Sequence, residues 1–244
     1  MLQLVDIQVL FQDSALLVIN KPAGLATLPD GYDSSLPHIK SQLESTLGRL
    51  WIVHRLDKGT SGVLLLARSA DAHRSLNSQF EQHQVTKVYH ALVIGDPEWE
   101  ETTVDLPLRP NGDRQHRTVI DLQNGKPAIT HLKVLERLVG HSLLEAIPET
   151  GRTHQIRAHL SALGLAIIGD KLYKPRPGIS ENERPQPSDV DQKLMILLGP
   201  GMGLHARSLS VTHPLSGEKL NFIAPYPDTW AKVLQYLHPA DSGE

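Results

Sequence analysis

Residues 87–95, KVYHALVIG, read as a strand that alternates: Val88, His90, Leu92 and Ile94 fall on one face of an extended chain and Tyr89, Ala91 and Val93 on the other. This run constrains the fold more than any other, because period-2 patterning of this length fits only a strand with two different faces. Further strand-like runs occupy 15–20 (ALLVIN), 63–67, 117–122, 129–138, 142–147, 206–212 and 218–223, with Ser216-Gly217 as the turn between the last two. Helical spacing is confined to four places. Ser69 can cap 70–84, where Ala72, Leu76 and Phe80 share a face. Ile156, Leu160 and Leu163 stripe 153–163, which Gly164 stops; Trp230, Val233, Leu234 and Leu237 stripe 228–238; a fourth helix is read over 37–46. Strands dominate, several are hairpin-connected, and helices fall between groups of them. That describes an α+β fold, a mostly antiparallel or mixed sheet flanked by helices and loops, rather than a regular βαβ repeat. With no linker and no internal repeat, one domain over 1–244 is expected, the Pro/Gly-rich acidic stretch 174–203 being an insertion loop.

Cysteine is absent, which removes disulfides, thiolate metal sites and cysteine nucleophiles. The start of the chain lacks a basic segment followed by a long apolar core, so neither a signal peptide nor a membrane span is indicated and a cytoplasmic protein is the expectation. The formal net charge of −3 argues mildly against a nucleic-acid partner, but the charges are segregated. Residues 96–105 carry five acids and no base, and 180–191 four acids and one Arg, whereas 49–68 hold Arg49, Arg55, Lys58 and Arg68 against Asp57 alone. A local basic surface is compatible with that distribution, and so is solvated scatter.

Among the thirteen histidines, His154 and His159 stand five apart on a helix, a spacing that does not put both rings on one face, so they read as structural or surface residues. Residues 199–203, GPGMG, are spaced like a phosphate loop, but Pro200 removes a donor and a strand follows. Ser61 in GTSG lacks the spacing of a nucleophile elbow, and its hydroxyl and that of Thr60 are expected to brace a turn. Asp57 is different. An acid between Arg55 and Lys58 suits a nucleophile or electrostatic stabiliser better than a general acid, with a surface salt bridge as the plain alternative. Arg157 follows Ile156 on the helix and lies on the flank of the buried stripe, where a guanidinium can reach into a cleft and hold a carboxylate.

Several long motifs now point the same way. HRLDKGTSGVLLLAR (54–68) resembles the segment around the nucleophilic aspartate of the RluA-type RNA pseudouridine synthases, and TGRTHQIRAHLSALGLAIIGDKLY (150–173) their arginine-bearing motif. KVYHALV (87–93) resembles their tyrosine strand, FQDSALLVINKPAGLATLP (11–29) their first motif and LHARSLSVTHPLSGEKLNFIAP (204–225) their closing segment. The resemblance implies isomerisation of uridine to pseudouridine in tRNA or rRNA, with Asp57 as nucleophile, Tyr89 against the flipped base and a candidate proton acceptor, and Arg157 paired with Asp57. Arg55, Lys58, Arg152, Arg207 and Lys21 become the candidate RNA contacts, with Arg114 and Arg117 extending the basic face. No cofactor or metal is implied, the partner is an RNA stem-loop, and the enzyme is expected to be a monomer. Two departures from the pattern are the lack of room for an N-terminal S4-like domain and the length of 174–203. Two other classes compete: an RNA-binding module of the same fold without catalysis, and a hydrolase pairing Asp57 with Glu149 or Asp170, which would need the acids about 5–10 Å apart.

Overall fold

The computed structural model describes residues 7–29, 33, 35–174 and 188–238. In chain order the elements are β1 (Gln8–Gln12), β2 (Leu16–Lys21), α1 (Ile39–Leu47), β3 (Trp51–Ile52), β4 (Ser61–Ala67), α2 (Ala70–Glu81), β5 (Thr86–Ile94), β6 (Glu101–Asp105), β7 (Leu108–Arg109), β8 (Val119–Ile120), β9 (Ile129–Leu138), β10 (His141–Pro148), α3 (Gln155–Ala162), β11 (Ala166–Ile167), α4 (Asp189–Leu198), β12 (Leu204–Thr212), β13 (Lys219–Ile223) and α5 (Asp228–Leu237). They form two compact units. The first takes the described residues up to Val88 with His205–Pro227, the second Tyr89–Leu204 with the described residues from Asp228 onward.

In the first unit β4 is buried along its whole length, which is why its sequence runs apolar without alternation. β2 pairs with it antiparallel from Leu16↔Ala67 to Lys21↔Gly62, and β1 lies beyond β2. β3 meets β4 at Trp51↔Ala67, and β12 meets it in parallel at His205↔Ser61 and Ala206↔Gly62. At that last pairing a Cβ on Gly62, whose φ is 110°, would stand 2.2 Å from the Ala206 carbonyl oxygen. Only glycine lets these two backbones approach so closely. α2 starts where expected, the Ser69 side chain accepting from the Ala72 N–H, and lays Ala72 and Leu76 on Leu16, Val18, Val63 and Leu65.

In the second unit β10 lies between β5 and β9, β6 pairs with the far edge of β9, and β11 adds to β5. Ala91, Val93, Leu132, Val134, Leu144 and Ala146 pack under Ile156 and Leu160 of α3, with Tyr89 against the same cluster. The face assigned to Tyr89 by alternation is therefore the helix-covered one. Leu163, expected in the α3 stripe, is 40% exposed, because the helix ends at Ala162 and the chain turns through Gly164 at φ 77°. A short hairpin of β7 and β8 pairs Leu108↔Ile120 and Arg109↔Val119, so the strand read over 117–122 shrinks to two residues.

Part of the stretch expected as an insertion loop is helical. Ser188 and Asp191 form a reciprocal cap, and α4 then buries Leu194 and Leu198. Residues 175–187 of that stretch lie outside the described residues. The glycine-rich 199–203 that follows is packing backbone. Gly203 N–H donates to Ile168 O (2.7 Å) and Gly203 O accepts from Leu92 N–H (2.8 Å), an approach that leaves no room for a side chain. Among the described residues no helix is long and apolar enough to cross a membrane.

Candidate active site

Asp57 stands in the loop that leads into β4, and that loop is fastened at several points. His54 Nε2 accepts from the Leu65 N–H (3.0 Å) while its ring stacks on Phe80, with centroids 5.0 Å apart. Desolvation, and then the nearby Lys87 charge, push its pKa down to about 3. His54 is therefore a neutral acceptor at any physiological pH. Leu56 is buried and exchanges two hydrogen bonds with Thr27 Oγ1, at 3.0 and 3.3 Å. The Thr60 N–H closes a turn on Asp57 O (3.0 Å), and the Gly24 N–H reaches Lys58 O (2.8 Å).

With His54 and Leu56 anchored inward, Arg55 and Lys58 are turned to solvent and Asp57 is half-buried. Lys21 lies beneath. It is 0% exposed, and its ammonium donates to Leu25 O (2.7 Å), Pro22 O (2.9 Å) and Lys58 O (3.4 Å). Desolvation lowers its pKa to about 7, with the charge of Asp57 pulling the other way. The resemblance makes Lys21 a candidate RNA contact, but the side chain lies inside and ties the KPAG turn to the Asp57 loop. The hydroxyl of Ser61 pairs with His205 Nδ1 (2.9 Å) while His205 Nε2 donates to Ala224 O, so this serine braces β4 against β12. Arg207 is half-buried, donating to Ala224 O with its guanidinium 5.0 Å above the Tyr226 ring.

The second unit holds the other named residues. Tyr89 sits on β5 opposite Ala146. The polar side of α3 is bound to β9: Gln155 donates to Ile129 O (2.8 Å) and Thr130 Oγ1 (3.0 Å), and His159 joins Thr130 Oγ1 to Leu106 O. Burial lowers the pKa of His159, consistent with a neutral ring that accepts at one nitrogen and donates at the other. Arg152 is half-buried and donates from Nε to Pro127 O (3.1 Å). Arg157, 7% exposed, forms a two-pronged pair with Asp170, Nε to Oδ2 at 2.6 Å and Nη2 to Oδ1 at 2.9 Å.

Asp170 Oδ1 also accepts from the Leu172 and Tyr173 N–H groups, at 2.9 and 3.1 Å. A carboxylate so fully engaged is a poor candidate for activating a water, which weakens the hydrolase reading. The arginines proposed to widen the basic face differ. Arg114 is exposed, whereas Arg117 is bound through Nε to Asp113 (2.6 Å) and through Nη1 to Leu172 O (3.0 Å). Reading the sequence alone gave Asp170 only as a possible hydrolytic acid and passed over Tyr173; the signal for both is an acid and an aromatic three apart after Gly169.

The family model described as RNA pseudouridylate synthase matches residues 15–162. The chain belongs to this family. It is 38% identical over 239 residues to the ribosomal large subunit pseudouridine synthase D of Nitrosomonas europaea, covering 96% of this chain and 66% of that one. To the dual-specificity RNA pseudouridine synthase RluA of Haemophilus influenzae it is 36% identical over 223 residues, 89% of this chain and 92% of that one. The solved human RNA pseudouridylate synthase domain containing 4 superposes with a TM-score of 0.73 at 28% identity, covering 94% of this chain and 92% of that chain. The fold is thus the α+β fold of the pseudouridine synthases, and the protein is an isomerase that converts uridine in RNA to pseudouridine. In that reaction the N1–C1′ bond is broken and a C5–C1′ bond is made, N1 gains a proton and C5 loses one. Atoms balance within the nucleoside, so the protein has to supply a nucleophile, proton transfer and a pocket for the detached base.

Proposed function

We propose that Asp57 is the nucleophile of this pseudouridine synthase, that Tyr89 lies against the flipped uracil, and that Arg157 supplies a counter-charge in the same chemistry. The observation that carries the reading is the mounting of Asp57. Its loop is held by His54, Leu56, Thr60 and Lys58, its neighbours Arg55 and Lys58 face outward, and a buried ammonium lies on its inner side. A loop fixed in this way pre-positions its carboxylate for attack. A base that reacts must leave its stack, which calls for an aromatic face and for cations that hold the flanking phosphates. Arg55, Lys58, Arg152 and Arg207 serve as those cations, with Lys21 supporting the loop from within. The substrate is a stem-loop of tRNA or rRNA; the name of the Nitrosomonas relative carries the ribosomal arm. The enzyme acts as a single catalytic domain, a monomer, in the cytoplasm.

Asp57→Asn tests the central assignment, since the amide keeps the shape and loses the nucleophile. Sequencing-based mapping of pseudouridine in total RNA, with and without the protein, identifies the substrate. On that RNA the variant is expected to form no pseudouridine while binding within a few-fold of wild type. Turnover by the variant would sink the assignment, and loss of binding with loss of turnover would make Asp57 a structural acid.

A further inference from the structure

The guanidinium of Arg157 is held from two directions. In its own plane Asp170 takes the Nε/Nη2 edge at 2.6 and 2.9 Å, and over its face the Tyr173 ring centre lies 4.9 Å from the central carbon. A bidentate pair fixes where a guanidinium sits and how it is rolled; a stacked ring fixes its tilt. Both holders are themselves held. Asp170, its side chain 0% exposed, accepts from two backbone N–H groups of its own loop. The Tyr173 hydroxyl accepts from the Thr118 N–H (2.8 Å), donates to Thr118 O (3.1 Å) and lies 3.1 Å from His154 Nδ1. Burial raises the pKa of this phenol, which keeps it an O–H donor. Its ring packs with Leu108 and Ala158, so it connects the β7–β8 hairpin to α3.

A buried ion pair by itself is weak evidence for stabilisation, because desolvation offsets much of the attraction. Fixing a conformation is the better account of a carboxylate placed here with every oxygen engaged. We propose that Asp170 and Tyr173 are positioning residues for catalysis, locking the Nε/Nη2 edge and the face of Arg157 so that its guanidinium enters the reaction in one orientation. This rests on the reading of Arg157 as a site residue.

The experiment is single-turnover pseudouridine formation on a substrate RNA, with RNA affinity and the urea midpoint measured alongside. Arg157→Met is made first; an unchanged rate would remove the parent reading, an outcome separate from the present one. Asp170→Asn is expected to slow the reaction about 10- to 100-fold, the cost of a misplacement of about 1 Å, with RNA affinity within about threefold. On top of Arg157→Met it should cost nothing further, because its effect passes through the arginine. A full second loss in that background would overturn the proposal. So would a wild-type rate in a folded Asp170→Asn. Tyr173→Leu, which keeps apolar bulk and removes the stacked face, should give a smaller loss that likewise vanishes beside Arg157→Met. If either variant fails to fold, the wild-type enzyme still decides. Nitrogen-15 spectra should show the Arg157 Nη groups in slow rotation, and a single averaged resonance would refute the lock.

Discussion

Lys21→Met removes a buried ammonium, and the consequence is a change in how stability depends on pH. Burial takes the folded-state pKa from 10.5 to about 7. Below that value both folded and unfolded chains carry the proton, and the full cost of burying the charge is present. Between about 7 and 10.5 the unfolded chain still holds a proton that the folded chain has released, so wild-type stability rises with pH by about 1.4 kcal/mol per unit. Across the window this amounts to about 5 kcal/mol at most. The value of about 7 already includes the opposing pull of Asp57, and the three carbonyl acceptors, which favour the charged form, reduce the swing. Methionine has no proton to release, so its profile lacks this slope, while the lost hydrogen bonds add an offset independent of pH. Urea unfolding of both proteins from about pH 6 to about pH 10, extrapolated to water, gives the difference directly. The wild type should lose stability relative to the variant as pH falls through the window. Parallel curves would mean that Lys21 stays charged throughout, its acceptors and Asp57 outweighing burial, and the electrostatic account of the loop would fall.

Gly62→Ala forces a Cβ to 2.2 Å from the Ala206 carbonyl oxygen at a φ of 110°, so a loss of more than about 3 kcal/mol in urea unfolding is expected; a loss under about 1 kcal/mol would show that β4 and β12 part there at little cost. Arg114→Ala should make the dependence of log affinity on log salt shallower by about 0.7, one phosphate contact. Arg117→Ala should leave that slope alone and lower the unfolding midpoint, because its guanidinium is bound to Asp113 and Leu172; a slope change for Arg117 with none for Arg114 would reverse the assignment of the two.

The strands that were legible in the sequence are those with a strong pattern of their own. β2 and β4 are continuous apolar runs and β5 and β9 alternate, and each appears within about two residues of its expected place. Among the strands that were missed, β1 (QVLFQ) has an apolar run of only three residues, and the others have no such pattern. β6 is ETTVD, an acidic edge strand whose only apolar residue is Val104, and it exists because β9 offers it an edge. β3, β7 and β11 have two residues each, fewer than any periodicity needs. α4 was hidden by the Pro- and Gly-rich residues on both sides of DVDQKLMILL, although Ser188 and Asp191 spell a capping box.

The site shows a similar division, set by chain distance. Exposed Arg55 beside Asp57 follows from four contiguous letters, HRLD, because His54 and Leu56 alternate with them and take the inward places, whereas the exposure of Lys58 comes from the turn that Thr60 closes on Asp57. Lys21 does not follow from its neighbourhood. KPAG reads as an exposed turn, and only the arrival of Lys58, 37 residues later, closes a cage of carbonyls around the ammonium. Asp170 stands 13 residues after Arg157, too far for helical spacing to relate them, and the pairing depends on the turn at Gly164 and β11 bringing the chain back along α3. In both places a charged group that looks from the sequence like a surface contact or a reacting acid is buried support for another residue. A buried charge must have partners, and partners at this range are chosen by the fold. On the proposed reading, Lys21 and Asp170, buried with their hydrogen bonds internal, mount the site, and the half-buried Asp57 carries its chemistry.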